Sequence, residues 1–157
     1  MPYCAEWTRQ TLPVVVLNYV RSGRLRIVFR GLAFIGPESQ LALETAVAAA
    51  VDDKLWNVVH ALYRVQGAEN SGWVNEALLA EVAAGAGLDY DRLAAARGEP
   101  FVAREIANAA EAAATAGVNS TPSFELGPTG GKLRPVDLRS LGPEGIVPAI
   151  EAVLARG

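Results

Sequence analysis

Between Pro37 and Gly117 the chain carries no convincing strand signal. Over roughly 80 residues its apolar positions recur at helical spacing instead. Leu43, Val47, Val51 and Leu55 stand four apart and form one stripe. Leu55, Val58, Val59, Leu62 and Tyr63 extend it past a break at Asp52-Asp53. After a polar loop from Gln66 to Gly72, the residues Val74, Leu78, Leu79 and Val82 form a second stripe, which Gly85 or Gly87 ends. Tyr90 to Ala96 reads as a short helix and Pro100 to Ala116 as a longer one, with Phe101 and Ile106 inward. Pro37 suits a helix start, because a first-turn residue has no intrahelical partner for its N–H, and Glu38 suits the positive end of the dipole. A helical block of this size excludes an all-β architecture.

The flanks read differently. Residues 5 to 21 read as a helix carrying Trp7, Leu12, Val15, Val16, Tyr19 and Val20 on one side. Pro13 removes the bond to the Arg9 carbonyl and kinks it. Ser22-Gly23 supplies a left-handed stop. Arg24 to Arg30 then alternates: Leu25, Ile27 and Phe29 one way, Arg24, Arg26, Val28 and Arg30 the other, which reads as a strand. Leu32-Ala33-Phe34-Ile35 is an apolar extension ended by Gly36-Pro37. Beyond the helical block, Ser123 to Leu126 is a short strand, Gly127 to Gly131 a turn, and Lys132 to Val136 a strand that pairs back as a hairpin. Pro143-Glu144 opens a last helix carrying Ile146, Val147, Ile150, Val153 and Leu154, with Pro148 near its first turn. The order is helix, strand, helical block, strand, strand, helix.

A length of 157 residues suits one domain with a proper core, and 51% hydrophobic against 20% charged residues is a globular balance. A net charge of −3 gives no reason to expect nucleic acid as a partner. No run of about 18 apolar residues encodes a membrane-spanning segment. One cysteine cannot form an internal disulfide. The one histidine, His60, lies on a helix among Val58, Val59 and Leu62 and reads as a core or boundary residue. No cluster has metal-ligand spacing, so neither a metal nor a cofactor is expected. Trp7, Trp56 and Trp73 read as core or groove aromatics, and Asp52, Asp53 and Glu69 as solvated surface. Gly127 to Gly131 lacks the strand–loop–helix setting of a phosphate loop.

The single thiol, Cys4, stands at the head of the first helix, preceded by Pro2-Tyr3. A thiol near a helix N-terminus meets the positive end of the macrodipole, which favours thiolate. Pro2-Tyr3-Cys4, the strand Val28-Phe29-Arg30, Gly36-Pro37-Glu38-Ser39, and Gly117-Val118-Asn119-Ser120-Thr121-Pro122-Ser123-Phe124 together resemble the DsbA-like branch of the thioredoxin superfamily. That branch carries Cys-Pro-Tyr-Cys and a Gly-Val-x-Gly-Thr-Pro-x-Phe segment. This chain has Met1 at the first cysteine position and Ser120 at a usual glycine.

The resemblance covers nearly the whole chain and implies an α/β, thioredoxin-like fold with a large helical insertion. It implies a single domain, with residues 1–36 and 117–157 forming the core and 37–116 the insertion. The fold's N-terminal strand is missing ahead of Pro2, so the chain is expected to be a fragment or mis-started frame of a longer parent. An in-frame strand ending in Cys upstream of Pro2 supports that expectation; an in-frame stop codon there overturns it. By the family pattern Met1 occupies the place of the nucleophilic Cys, Cys4 is the resolving thiol, and Pro2 and Tyr3 tune the pair. Thr121 and a cis Pro122 face the motif as the substrate groove. The implied activity is thiol–disulfide exchange on cysteine-containing proteins, served by a further redox partner and impaired here by the loss of one sulfur. Two alternatives stand beside it. One is a non-redox domain that clasps extended peptides at the same groove. The other is a glutathione-dependent isomerase or transferase, disfavoured because no serine lies near the helix start. Relatives are mostly exported or membrane-tethered, though cytosolic ones exist.

Overall fold

The structure, a computed structural model, describes residues 1–156. The chain packs as two compact units, Met1–Val28 with Ala116–Gly157, and Phe29–Thr115.

The first unit opens with α1 (Pro2–Gln10), which buries Cys4, Ala5, Trp7 and Thr8. Pro2 sits in its first turn, where a missing N–H costs nothing. The helix read over residues 5–21 is broken in the structure. It stops at Thr11, resumes as α2 (Leu12–Val15), and widens into a π-helical turn over Val16–Val20. Pro13 is the cause of the break: its nitrogen cannot donate to the Arg9 carbonyl, and its ring crowds that oxygen. Thr11, fully buried at the break, donates its hydroxyl to the Leu141 carbonyl at 2.5 Å. Gly23, at φ 73°, turns the chain out of the helix.

Arg24 to Arg30 is not a strand in the structure. Its burial does alternate, with Leu25, Ile27 and Phe29 half-buried and the residues between them exposed. A strand also needs a neighbouring edge to bond, and this segment has none among the described residues. The one ladder among them is antiparallel, β1 (Phe124–Leu126) on β2 (Arg134–Val136), with Phe124 opposite Val136 and Leu126 opposite Arg134. A turn closed by Gly131 N–H donating to the Pro128 carbonyl at 2.9 Å joins their connecting loop. The last helix, α8 (Pro143–Leu154), buries Ile146 and Ile150 and keeps Pro148 on its exposed side.

The second unit is helical: α3 (Pro37–Ala48), α4 (Leu55–Arg64), α5 (Glu76–Gly85), α6 (Tyr90–Ala96) and α7 (Pro100–Thr115). Leu43, Val47, Val58, Leu62, Leu79, Val82, Leu93 and Val102 form its core. One expectation is corrected here. Val51, assigned to the apolar stripe, is exposed. The chain tightens to a 3₁₀ turn over Ala49–Asp52, and three residues per turn rotates Val51 off a stripe built on 3.6. Asp52, read as surface, forms an exposed ion pair with Arg92 at 2.8 Å. Asn75 and Asp89 cap α5 and α6, their side chains accepting the N–H of Leu78 and Arg92.

Glu38 ties the start of α3 to the loop before α5. Its carboxylate accepts the N–H of Gly72 at 2.8 Å and of Val74 at 3.1 Å. Beside it the Asn70 amide donates to the Ile35 carbonyl at 2.9 Å. Charge-assisted bonds to backbone N–H are each worth about 1.5–3 kcal/mol before solvent screening. With Glu38 half-buried, Glu38→Ala is expected to cost about 2 kcal/mol in urea unfolding, and Glu38→Gln, which keeps an acceptor, about half as much.

Candidate functional site

The residues read from the sequence as a site begin at the head of α1. Met1 is its N-cap residue, and Pro2, Tyr3 and Cys4 form its first turn. Pro2 is exposed and Tyr3 is 64% exposed, whereas Cys4 is turned inward at 8%. The second half of the site arrives with the segment entering β1. The Thr121–Pro122 peptide bond is cis, and both residues are half-buried.

Two contacts join the halves. The Thr121 hydroxyl donates to the Met1 sulfur, Oγ1 to Sδ, at 3.0 Å. One turn below Cys4 on the same helix face, the Trp7 ring lies 4.6 Å from the Phe124 ring, centroid to centroid, at 43°. Phe124 follows Pro122 by two residues and is the first residue of β1, so this aromatic pair fixes the strand to the helix. Tilted rings at this separation contribute about 0.5–1.5 kcal/mol beyond their buried area. Among the described residues, the indole N–H of Trp7 has no hydrogen-bond partner. Trp7 stands out in the sequence as an apolar aromatic, but nothing there names Phe124 as its partner.

Chemically, the arrangement puts a sulfur at position 1 under a hydroxyl donor and a second, shielded sulfur one turn along the same helix. The sulfur at position 1 is a thioether. It has no S–H and cannot ionise to a thiolate, the species that attacks a disulfide.

The sequence family described as thioredoxin matches residues 2–130. The chain belongs to the thioredoxin family. Among curated proteins this thioredoxin-family chain is 28% identical over 83 residues to the probable disulfide bond formation protein D of Bacillus anthracis. That match spans 52% of this chain and 38% of the relative's own length. Among solved structures it superposes on a thioredoxin-like oxidoreductase from Silicibacter pomeroyi DSS-3 with a TM-score of 0.76 at 25% identity, covering 99% of this chain and 80% of that one. It superposes on oxidised BdbD from Bacillus subtilis with a TM-score of 0.80 at 17% identity, covering 99% and 82%. The fold is thioredoxin-like, α/β with a large helical share.

Behind the thioredoxin-family motif, Tyr19 in the π-helical turn donates its phenol to Glu151 Oε1 on α8 at 2.6 Å, and Arg24 reaches Glu151 Oε2 at 3.6 Å. The hydrogen bond to Glu151 raises the Tyr19 pKa above its ordinary 10.0, burial and the carboxylate's charge add to the rise, and Arg24 opposes it. A raised phenol favours the neutral form in the folded state. That contribution to stability is present below pH 10.0 and is lost as pH rises through the folded value. Phenolate absorbance is expected to show one of the four tyrosines ionising last, and Tyr19→Phe to remove that late step together with part of the alkaline loss of stability.

His60 lies on α4 in the helical unit, not with the motif. Burial lowers its pKa and the Arg64 charge adds to this, which favours the neutral imidazole.

Proposed function

We propose that this fold serves thiol–disulfide exchange of the DsbA type on cysteine-containing proteins, and that this chain carries the resolving half of the redox pair. In this reading residues 1–36 and 117–157 form a thioredoxin-like core and 37–116 an insertion within one domain. Met1 marks the attacking position, Cys4 is the resolving thiol, Pro2 and Tyr3 shape the turn between them, and Thr121 with Pro122 lines the groove for the substrate strand. The observation that carries the reading is the 3.0 Å contact between the Thr121 hydroxyl and the sulfur at position 1. A hydroxyl aimed at that position is the donor a thiolate there needs. The likeness to a probable disulfide bond formation protein and to a thioredoxin-like oxidoreductase supports the same activity class.

The reaction closes as a two-electron exchange only with sulfur at both positions. A thiolate at position 1 attacks a substrate disulfide, releases one substrate thiolate and forms a mixed disulfide. The Cys4 thiolate then attacks the position-1 sulfur, forms the internal disulfide and frees the second substrate thiolate. Run in reverse, the internal disulfide oxidises a substrate dithiol. With Met1 in place the chain is expected to show little turnover, and Met1→Cys to restore it in a disulfide-reduction assay. Turnover that does not require both thiols overturns the reading.

A second reading is favoured by Met1 itself. A groove with one shielded thiol can clasp an extended peptide by strand pairing without exchanging electrons. Peptide binding by the Met1→Cys protein with no turnover selects it.

A further inference from the structure

Between α3 and α7 the helical unit holds an open hollow of about 280 Å³, close to the lower end of the range for small-molecule sites. Its lining includes Gln40 and Glu44 from α3, Val102, Ile106 and Ala107 from α7, and Arg97 just after α6. The α7 residues here are mostly alanine, and side chains that short leave space between two helices. Val102 is buried and Ile106 half-buried, so the hollow has a settled apolar side. Every lining residue belongs to the helical unit, whereas the strand that a thioredoxin-like fold places ahead of Pro2 belongs to the sheet.

The charges around the hollow select its ligand. Gln40 donates its side-chain amide to Glu44 Oε1 at 2.7 Å, a pairing that the i, i+4 spacing on α3 allows. That bond steadies the carboxylate. It leaves Glu44 Oε2 and the Gln40 carboxamide oxygen as acceptors without a partner among the described residues. Glu44 has no ionic partner among them either. Arg97 does not serve as one. Its Nη2 meets both carboxylate oxygens of Glu76, at 3.2 and 3.0 Å, and its Nη1 is buried, beyond the reach of a ligand. The uncompensated charge at the hollow is therefore negative, beside apolar Val102 and Ile106. An alkylammonium answers both features, since its N–H groups donate to the free oxygens and its carbons cover the apolar side chains. A carboxylate ligand would meet Glu44 and find no free cation. We infer that this hollow binds a small primary amine with an apolar body. The inference does not rest on the redox reading.

The probe is hexylammonium chloride, with hexanol and sodium hexanoate as its neutral and anionic controls. In the intact chain hexylammonium is expected to shift the methyl NMR signals of Val102 and Ile106 saturably and to bind about tenfold more tightly than hexanol. Glu44→Gln keeps the shape of the side chain and is expected to erase that advantage. Glu44→Lys is expected to reverse the preference, so that hexanoate binds about tenfold more tightly than it does to the unchanged chain. This gain is the decisive readout, since a misfolded variant gains no selective site. Ala107→Leu, at an exposed position, fills the hollow and is expected to abolish the binding of all three. Equal binding of the three probes, a preference for hexylammonium that survives Glu44→Gln, or shifts that miss both methyl signals each overturns the inference.

Discussion

Gly145→Ala is expected to lower the unfolding free energy by about 3 kcal/mol. Helix propensity argues the other way. Gly145 lies inside α8, and exchanging glycine for alanine in a helix gains up to about 1 kcal/mol. A Cβ at this position, however, would stand 2.0 Å from the Ser140 carbonyl oxygen and 2.9 Å from its carbon. Both are backbone atoms, so no rotamer change relieves the clash. The loop must move, and it carries three other bonds with it. The Ser140 hydroxyl donates to Glu144 and also accepts the Gly142 N–H at 2.9 Å. The next carbonyl, Leu141, receives the hydroxyl of Thr11, which has 0% exposure and no water to turn to. Leaving a buried hydroxyl unpaired costs about 1–3 kcal/mol by itself. The Ser140 bond also holds the Glu144 carboxyl below its ordinary value, so that contribution is present at neutral pH and is lost on acidification through the folded value. Urea unfolding of Gly145→Ala beside Gly85→Ala checks the argument. A Cβ at Gly85 meets nothing within 4 Å, so that change is expected to stabilise by about 0.4–1 kcal/mol. Equal effects from the two changes would show that propensity, not the Ser140 carbonyl, decides.

The same contrast marks what was legible in the sequence. Local patterns were: Tyr90–Ala96 and the start of α3 at Pro37 follow directly from apolar spacing and proline placement. The break at Asp52-Asp53 was also visible, and Asp53 adopts the left-handed conformation there at φ 57°. What failed was information held by a neighbour. Arg24 to Arg30 alternates as a strand does, yet a strand is a relation between two segments and the pattern of one cannot supply the other. Val51 left its stripe because one turn tightened, and stripe counting assumes a constant pitch. The Asp52–Arg92 ion pair joins two elements, so no pattern within one of them shows it. At the site, the Pro2-Tyr3-Cys4 and Thr121-Pro122 segments could be joined only through a family resemblance. No spacing within the chain says that a hydroxyl at 121 reaches a sulfur at 1.

Met1→Cys, produced behind a cleavable leader, is expected to raise disulfide-reduction turnover by about a hundredfold or more over the Met1 chain. The size follows from connectivity. With one thiol, a mixed disulfide must wait for a thiol from solution. With two thiols on one helix turn, resolution is intramolecular, and well-oriented intramolecular steps gain far more than a hundredfold in effective concentration. A cysteine sulfur stands one methylene closer to the backbone than the Met1 sulfur, so the Thr121 hydroxyl must follow it inward by a change of rotamer. If it does, the contact becomes stronger, because a hydroxyl donating to a thiolate is charge-assisted, whereas a thioether is a weak acceptor. Three variants separate the parts. Met1→Cys with Cys4→Ser is expected to accumulate the mixed disulfide, visible by mass, because attack is intact and resolution is not. Met1→Cys with Thr121→Val is expected to raise the pH at which the position-1 thiolate absorbs in the ultraviolet and to slow attack, while resolution by Cys4 continues. Met1→Cys with Thr121→Ser, which keeps the hydroxyl, is expected to restore both. A thiolate titration unmoved by Thr121→Val would remove the hydroxyl from the chemistry and leave Thr121 a purely structural neighbour of position 1.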